Sequence, residues 1–322
     1  MEKLALGKQG LQVSRLGLGC MGMSEFYGAT DESESLSTLN YALELGLTFF
    51  DTADIYGYDE DGIGVNEKLV GKGLGPHRHS VQIATKFGLL RNKTQSLGYN
   101  GKAQYVKEAC EASLQRLGTD YIDLYYLHRA DPNVPITETV GAMAELVKEG
   151  KVRYLGLSEV TREQLTDAHA VFPISAVQTE YSLWSREPEL GILQACRELG
   201  VGFVPYSPLG RGFLTGTLSS RSQLAQDDWR MHNPRFSEEA FEKNNTIVQG
   251  IQLIAQQKGV TPAQIALAWV TAQGNDIVPI PGTKRVKYLQ QNSEALSIRL
   301  TAEELDRLNE IAPAGSTFGD RY

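Results

Sequence analysis

The chain is poor in cysteine: Cys20, Cys110 and Cys196 are odd in number, lie far apart and include no C-x-x-C pair. That excludes a disulfide framework and points to a reducing compartment. Excess basic charge is also missing, since 31 Lys and Arg face 39 Asp and Glu for a formal charge of −8. Nucleic acid and anionic membranes select for Lys/Arg patches, so neither is an expected partner. Any anionic ligand would need a local cationic pocket on this acidic background. No apolar run approaches the length of about eighteen residues that a membrane span requires. The opening "MEKLALGKQG" lacks the charged and apolar regions of a secretory signal. Together these absences predict a cytoplasmic protein.

What is present is a globular composition of 322 residues, 41% hydrophobic and 22% charged. Short apolar runs rich in β-branched and aromatic residues read as buried strands: "RLGLGC", "LTFFDTA", "SVQIATKFG", "YIDLYYLH", "VRYLGLS", "ISAVQTEYS", "VGFVPYSP" and "DIVPIPG". Between them apolar residues recur at helical spacing, most clearly over 34–45, 102–117 and 137–149. Gly46, Gly118 and Gly150 follow these segments, where a helix C-terminus favours glycine. Thr261-Pro262 opens a further helix with a cap and a first-turn proline. Strands alternating with helices predict a parallel sheet with right-handed crossovers. The count and length suit a (β/α)8 TIM barrel forming a single domain over 1–322, although strand count alone leaves an open doubly wound sheet possible. Residues 1–14 are expected to form an N-terminal β-hairpin, and the C-terminal helix over 301–312 is expected to pack outside the barrel. Residues 207–238 form a long connection without periodicity, a length common in binding loops.

In "RLGLGCMGMSEFYG", Gly17, Gly19 and Gly22 spell the G-x-G-x-x-G dinucleotide fingerprint. That motif needs a strand, a tight turn and then a helix N-terminus. Here the glycines lie in the strand itself, and the first helix is expected only near Thr30 or Asp31. The Rossmann reading is rejected, and the glycines are read as a thin strand end allowing close approach of a ligand.

In a barrel, chemistry sits at the C-terminal ends of the strands. Strand two ends in "FFDTADIYG", giving Asp51 and Tyr56; strand three in "IATKFG", giving Lys86; strand four in "LYYLHRADP", giving His128. A lysine ammonium beside a phenol favours the phenolate and lowers the phenol's pKa. Asp51 would keep Lys86 charged and aimed, and His128 would orient a carbonyl oxygen. Each residue alone has an ordinary structural role open to it. Together they form a proton donor for a carbonyl that receives a hydride from a cofactor.

The constellation "DTADIYG", "TKFG" and "LYYLHRAD" resembles the aldo-keto reductase superfamily, in order and over essentially the whole chain. The stretches "GCMGMSEFYG" and "YSPLGRGFLTG" resemble its branch of bacterial and plant aldehyde reductases. The resemblance implies an NADPH-dependent reductase of an aldehyde or ketone, with Tyr56 as general acid, Lys86 and Asp51 tuning it, and His128 orienting the substrate. It also implies cofactor contacts from Gly19 and Met21, from Ser158, Glu159 and Gln178 at the nicotinamide carboxamide, and from Tyr206 stacked on the nicotinamide. Ser207, Leu209, Gly210 and Arg211 would lie beside the pyrophosphate. Gly282, Thr283, Lys284 and Arg285 would meet the 2′-phosphate, and Gln291 and Asn292 the adenine. Many relatives carry asparagine where this chain has Glu159, and a carboxylate cannot donate a hydrogen bond.

Phe26, Tyr27, Phe87, Trp184 and Trp229 are candidates for shaping the substrate pocket. Arg129 either attracts an acidic substrate or makes a structural ion pair. His77 and His79 imitate the paired histidines of metal-dependent barrel hydrolases, but they precede strand three, away from the expected mouth. They are read as surface residues and no metal site is expected. Cys20 is read as packing. The rival from another class is a cofactor-binding regulatory subunit of the channel β-subunit kind, with slow turnover.

Overall fold

A computed structural model describes residues 1–226 and 228–321; Asp227, within the long connection, and Tyr322 lie outside the described residues. Seven parallel strands pair in chain order: β1 (Leu18–Gly19), β2 (Phe49–Asp51), β3 (Gln82–Phe87), β4 (Ile122–Leu127), β5 (Val152–Ser158), β6 (Ile174–Glu180) and β7 (Gly202–Tyr206). After the first six come α1 (Glu32–Glu44), α2 (Val65–Leu74), α3 (Ala103–Leu117), α4 (Ile136–Lys148), α5 (Arg162–Val171) and α6 (Ile192–Leu199). Then follow α7 (Glu238–Lys258), α8 (Pro262–Ala272), α9 (Val286–Glu294) and α10 (Ala302–Ile311).

The expected eighth strand, 276–282, closes the barrel through irregular bonding. On the β7 side Val278 N donates to Phe203 O at 2.9 Å and Ile280 N to Pro205 O at 3.0 Å. On the β1 side Gly17 N donates to Pro279 O at 3.0 Å and Gly19 N to Pro281 O at 3.3 Å. Pro205, Pro279 and Pro281 have no N–H to return these bonds, so the segment joins two neighbours without a full ladder. The sheet is thus a (β/α)8 barrel sealed by a seam of prolines.

That seam explains the glycine fingerprint. A Cβ on Gly17 would meet Phe49 at 2.7 Å and Ile280 at 2.8 Å, and one on Gly19 would meet Ile280 O at 2.9 Å. The close approach seen at these positions is to the closing segment of the barrel. The first helix starts where the missing Rossmann context predicts: Asp31 caps α1, accepting from Glu34 N at 2.7 Å.

The helix punctuation follows the sequence. Gly46, Gly118 and Gly150 all have positive φ, at +81°, +64° and +76°. Thr261 and Gln264 form a reciprocal capping box at the start of α8. The N-terminal hairpin pairs Lys3–Ala5 with Gln12–Ser14. Its Leu6, Leu11 and Val13 plug the barrel floor and pack with Phe49, Ala84, Leu124, Tyr126, Ala176, Val204, Val278 and Ile280. The long connection contains four short 3-10 turns, Gly210–Thr215, Arg221–Gln223, Trp229–His232 and Pro234–Phe236. Turns that short leave no periodic pattern to read. Among the described residues no helix is long and apolar enough to cross a membrane.

Replacing Gly17 with alanine should destabilise the fold by about 1–3 kcal/mol through forced movement of Phe49 and Ile280. The check is a urea midpoint, with Gly22→Ala as the milder control because its nearest contact is Tyr27 at 3.3 Å. Equal midpoints for the two variants would refute the seam.

Candidate active site

Side chains alternate along a strand, so each barrel strand points every second residue inward. Phe49, Ala84, Tyr126, Ala176 and Val204 fill the interior. Two positions further on, the same register delivers Asp51, Lys86, His128, Gln178 and Tyr206 at the C-terminal rim. On β5 it delivers Ser158, two residues after Gly156. A Cβ at Gly156 would collide with the Tyr126 ring at 2.4 Å, which is why that layer takes a glycine. The polar rim is the continuation of the apolar core by one more step of the pleat.

Lys86 is fully buried. Its ammonium donates to Asp51 Oδ1 at 2.5 Å, to Thr52 O at 2.8 Å and to Tyr56 Oη at 3.5 Å. Burial alone would pull its pKa down, but Asp51 and Tyr56 outweigh that and raise it, so the side chain stays an ammonium. Burial raises the Asp51 carboxyl, countered by Lys86 and by Gln178, whose Nε2 donates to Oδ2 at 2.7 Å.

The Tyr56 phenol differs from the expectation. Burial pushes its pKa up, and the Lys86 ammonium offsets only part of that, so the net shift is upward rather than downward. The phenol therefore holds its proton firmly across neutral pH. Tyr56 sits in the turn after β2. Its N–H donates to Ala53 O at 3.2 Å and its carbonyl accepts from Asn66 N at 3.0 Å.

His128 stands edge-on to Tyr56, with ring centroids 5.9 Å apart and an interplanar angle of 86°. Its Nδ1 is buried with no hydrogen-bond partner among the described residues. Burial first, then Lys86 and Arg129, hold its pKa well below the ordinary imidazole value, so the ring is neutral. Arg129 follows His128 at the end of β4. Its Nη1 donates to His128 O at 2.8 Å and to Ser158 Oγ at 3.1 Å, tying the ends of β4 and β5 together.

The expected cofactor residues fall at the C-terminal strand ends, in the connection after β7, and on or just before α9. Ser158 and Gln178 are buried at adjacent strand ends, paired in the β5–β6 ladder. Tyr206 and Leu209 are half-buried at the end of β7, Gly19 and Met21 are half-buried at β1, and Gly282 and Thr283 lie beyond the seam. Ser207 has φ +48°, and Gly210, Arg211 and Gly212 are consecutively left-handed at +57°, +57° and +91°.

Arg211 is engaged by protein groups. Its guanidinium donates to the buried Glu180 Oε2 at 2.8 Å and lies 4.8 Å from the Trp229 ring. Lys284 donates to the carbonyls of Tyr27, Gly28 and Ala29 at 2.9, 3.2 and 2.6 Å. Its partner cation Arg285 is exposed, 3.9 Å from Glu34. On α9, Gln291 is half-buried and Asn292 buried.

Of the five pocket aromatics, three gather at the mouth: Phe26 and Tyr27 each meet the Trp229 ring edge-on at 6.5 Å. The other two belong to the core. Phe87 stacks on Tyr125 at 4.8 Å and Trp184 on Phe213 at 4.7 Å, both fully enclosed. An aromatic at a strand end has two faces available to it, and composition does not say which one it takes. Cys20 is buried, and burial pushes its thiol up, away from thiolate chemistry. His77 and His79 are exposed on the turn Gly75–Ser80 that precedes β3.

Three residues were missed. Asn66 is fully buried: its Nδ2 donates to Cys20 O and Ser24 Oγ, both at 2.8 Å, while its Oδ1 accepts from Thr52 at 2.6 Å. It thereby fixes the Tyr56 turn against the β1 exit. Glu180 and Arg321 meet at the rim from opposite parts of the chain. An asparagine in a helical run and an arginine in a loop carry no periodic signal.

Comparison with known proteins supplies the family and agrees with the fold. A family model described as the aldo/keto reductase family matches residues 15–313. The probable aldo-keto reductase 1 of Glycine max is 47% identical over 324 residues, spanning 100% of this chain and 92% of its own length. Among solved structures, a glycerol dehydrogenase from Gluconobacter oxydans superposes with a TM-score of 0.86 at 26% identity, covering 96% of this chain and 94% of its own. An aldo-keto reductase from Bacillus halodurans, in its holo form, gives 0.78 at 28%, covering 98% and 97%.

Because the Lys86 ammonium is enclosed, Asp51→Asn should leave an uncompensated buried charge and destabilise the protein by about 3–5 kcal/mol. Replacing both partners with apolar residues should recover most of that loss. Denaturant titration of the single and double variants checks this, and a neutral single substitution would remove the ion pair from the argument.

Proposed function

Since the chain belongs to the aldo/keto reductase family, whose members are oxidoreductases using nicotinamide cofactors for carbonyl chemistry, we propose that it reduces an aldehyde or ketone to the alcohol with NADPH. The observation that carries this reading is the contact between the Lys86 ammonium and the Tyr56 phenol beside a neutral His128.

The rim suits such a cofactor. Ser158 and Gln178 offer hydrogen-bonding groups at neighbouring strand ends, Tyr206 ends β7 opposite Glu180, and Gly19 and Gly282 leave the backbone bare. His128 Nδ1 is a buried polar atom with no partner among the described residues, which suits a rim that binds a polar ligand. Reduced nicotinamide would supply the hydride. The protein's own residues handle the proton. Tyr56 enters the step protonated and gives its hydrogen to the carbonyl oxygen, while Lys86, held by Asp51, stabilises the phenolate left behind. His128 carries one ring N–H when neutral and can hold the substrate oxygen against the phenol. Proton donation of this kind contributes a factor of about 100–10,000.

Tyr56→Phe keeps the ring and removes the hydroxyl. Turnover of a small aldehyde panel, followed by NADPH absorbance, should fall by about 100-fold or more while NADPH still binds. Retained turnover would overturn the assignment, and slow turnover by the native protein on every carbonyl would exclude it as a reductase.

The NADPH preference rests on Lys284 and Arg285, with a different division of labour from that expected. Arg285 is exposed and lies 3.9 Å from Glu34, a long pairing, so it can take a phosphate directly. Lys284 must exchange main-chain carbonyls for phosphate oxygens. Alanine at both positions should weaken NADPH roughly tenfold or more and leave NADH nearly unchanged. Equal losses for the two cofactors would refute a 2′-phosphate site here.

A further inference from the structure

Glu159 follows Ser158 directly and has φ +54°, a left-handed conformation that a non-glycine residue adopts only when its surroundings hold it there. Its own N–H donates to Gln178 O at 3.0 Å, continuing the β5–β6 ladder by one bond. In a regular parallel ladder the next bond would run from Glu180 N to the main-chain carbonyl of Glu159. The left-handed turn carries that carbonyl away, and the side chain replaces it: Glu159 Oε1 accepts from Glu180 N at 3.0 Å.

This substitution creates an electrostatic problem. It brings a second carboxylate to Glu180, which is fully buried and whose pKa is raised first by burial and further by Glu159. Arg211 already answers Glu180 Oε2, and Arg235 Nη1 lies 3.8 Å from Oε1. The cation that answers both carboxylates is Arg321. Its Nη2 is hydrogen-bonded to Glu159 Oε2, and its Nε lies 3.9 Å from Glu180 Oε2.

Arg321 is delivered by an anchored segment. Its carbonyl accepts from Arg211 Nη1 at 3.1 Å and from Asn233 Nδ2 at 2.9 Å. Upstream, Gly319 O accepts from Arg235 Nε at 3.3 Å. Phe318 exchanges two hydrogen bonds with Asn244, at 2.9 and 2.8 Å. Thr317 donates to Trp184 O at 2.8 Å. The guanidinium thus reaches the rim along a fixed path.

We propose that Arg321 is a positioning residue for the cofactor site: by clamping Glu159 across the ends of β5 and β6 it fixes the turn that presents Ser158 and Gln178. The proposal rests on the reading that a nicotinamide dinucleotide lies across those strand ends. It makes cofactor affinity depend on a residue remote in sequence from the rest of the site. It also gives Glu159 a role other than contacting the carboxamide: the side chain completes a ladder.

The test compares native protein with Arg321→Ala, Arg321→Lys, Glu159→Gln and the Arg321→Ala/Glu159→Gln double variant. Hydrogen–deuterium exchange on cofactor-free protein should show the amides of 158–160 and 180 exchanging about tenfold faster in Arg321→Ala, with β3 and β4 unchanged. NADPH titration by nicotinamide fluorescence should give a dissociation constant raised about tenfold, with kcat at saturating cofactor changed about twofold or less. Lysine should restore only part of this, lacking the planar fork. The double variant should be no worse than Arg321→Ala. Unchanged exchange at those amides, loosening spread through all the barrel strands, unchanged NADPH affinity, or additive single effects would each overturn the clamp. Failure of the native protein to bind any nicotinamide dinucleotide would instead remove the functional reading, and the proposal with it.

Discussion

A fully enclosed ammonium is the constraint around which the barrel mouth is organised. Lys86 has no water to solvate it, so each of its donors must find an oxygen from the protein, and three do: Asp51, Thr52 and Tyr56. Asp51 in turn cannot be left with one partner, and Gln178 reaches across the barrel from β6 to take its second oxygen. One buried charge thereby links β2, β3 and β6 and leaves the phenol as the last oxygen in the chain of contacts. A buried ion pair of this kind seldom stabilises a fold more than well-packed apolar side chains would. Its value lies in what the ammonium does to the remaining oxygen, which is the one facing the mouth.

The burial that makes the ammonium effective also acts on its neighbours. It raises Tyr56 more than Lys86 lowers it, and it depresses His128. Both outcomes favour proton donation rather than abstraction: the phenol is protonated and the imidazole uncharged across neutral pH. From sequence alone the ammonium is the dominant influence on the phenol. Desolvation outweighs it because Tyr56 is packed among Lys86, Asp51 and His128 before any substrate arrives.

What the sequence made legible depended on local chemistry with few alternatives. A polar residue ending an apolar strand has the rim as its natural destination, so Asp51, Lys86 and His128 could be placed by reading each strand to its end. Helix caps and the glycines after α1, α3 and α4 obey rules spanning about four residues, and they hold. The eighth strand was recognisable by its apolar run, but its prolines make it a seam rather than a ladder. The glycines of β1 were rightly separated from a Rossmann turn, yet their true neighbour was Ile280, beyond the reach of local pattern. Phe87 and Trp184 failed for the same reason: burial inside or outside a barrel wall is a question of three-dimensional neighbours. The partners of Lys284 and Arg211 could not be read either, because sequence shows a charge but not what holds it.

In the proposed reading this acidic protein must keep a mouth that accepts an anionic cofactor. Arg211, Arg235 and Arg321 converge there, yet each is engaged by Glu159, Glu180 or Glu187 within 4 Å. Paired arginines attract a distant phosphate only weakly, because their fields are largely cancelled. Their contribution is geometric: they hold the carboxylates that hold the strand-end turns. Attraction falls to cations whose pairing is long or replaceable, Arg285 with Glu34 at 3.9 Å and Lys284 on neutral carbonyls. The mouth therefore separates two tasks that composition alone cannot distinguish. Paired arginines fix shape, and in the proposed NADPH reading the pair beyond the proline seam would read charge.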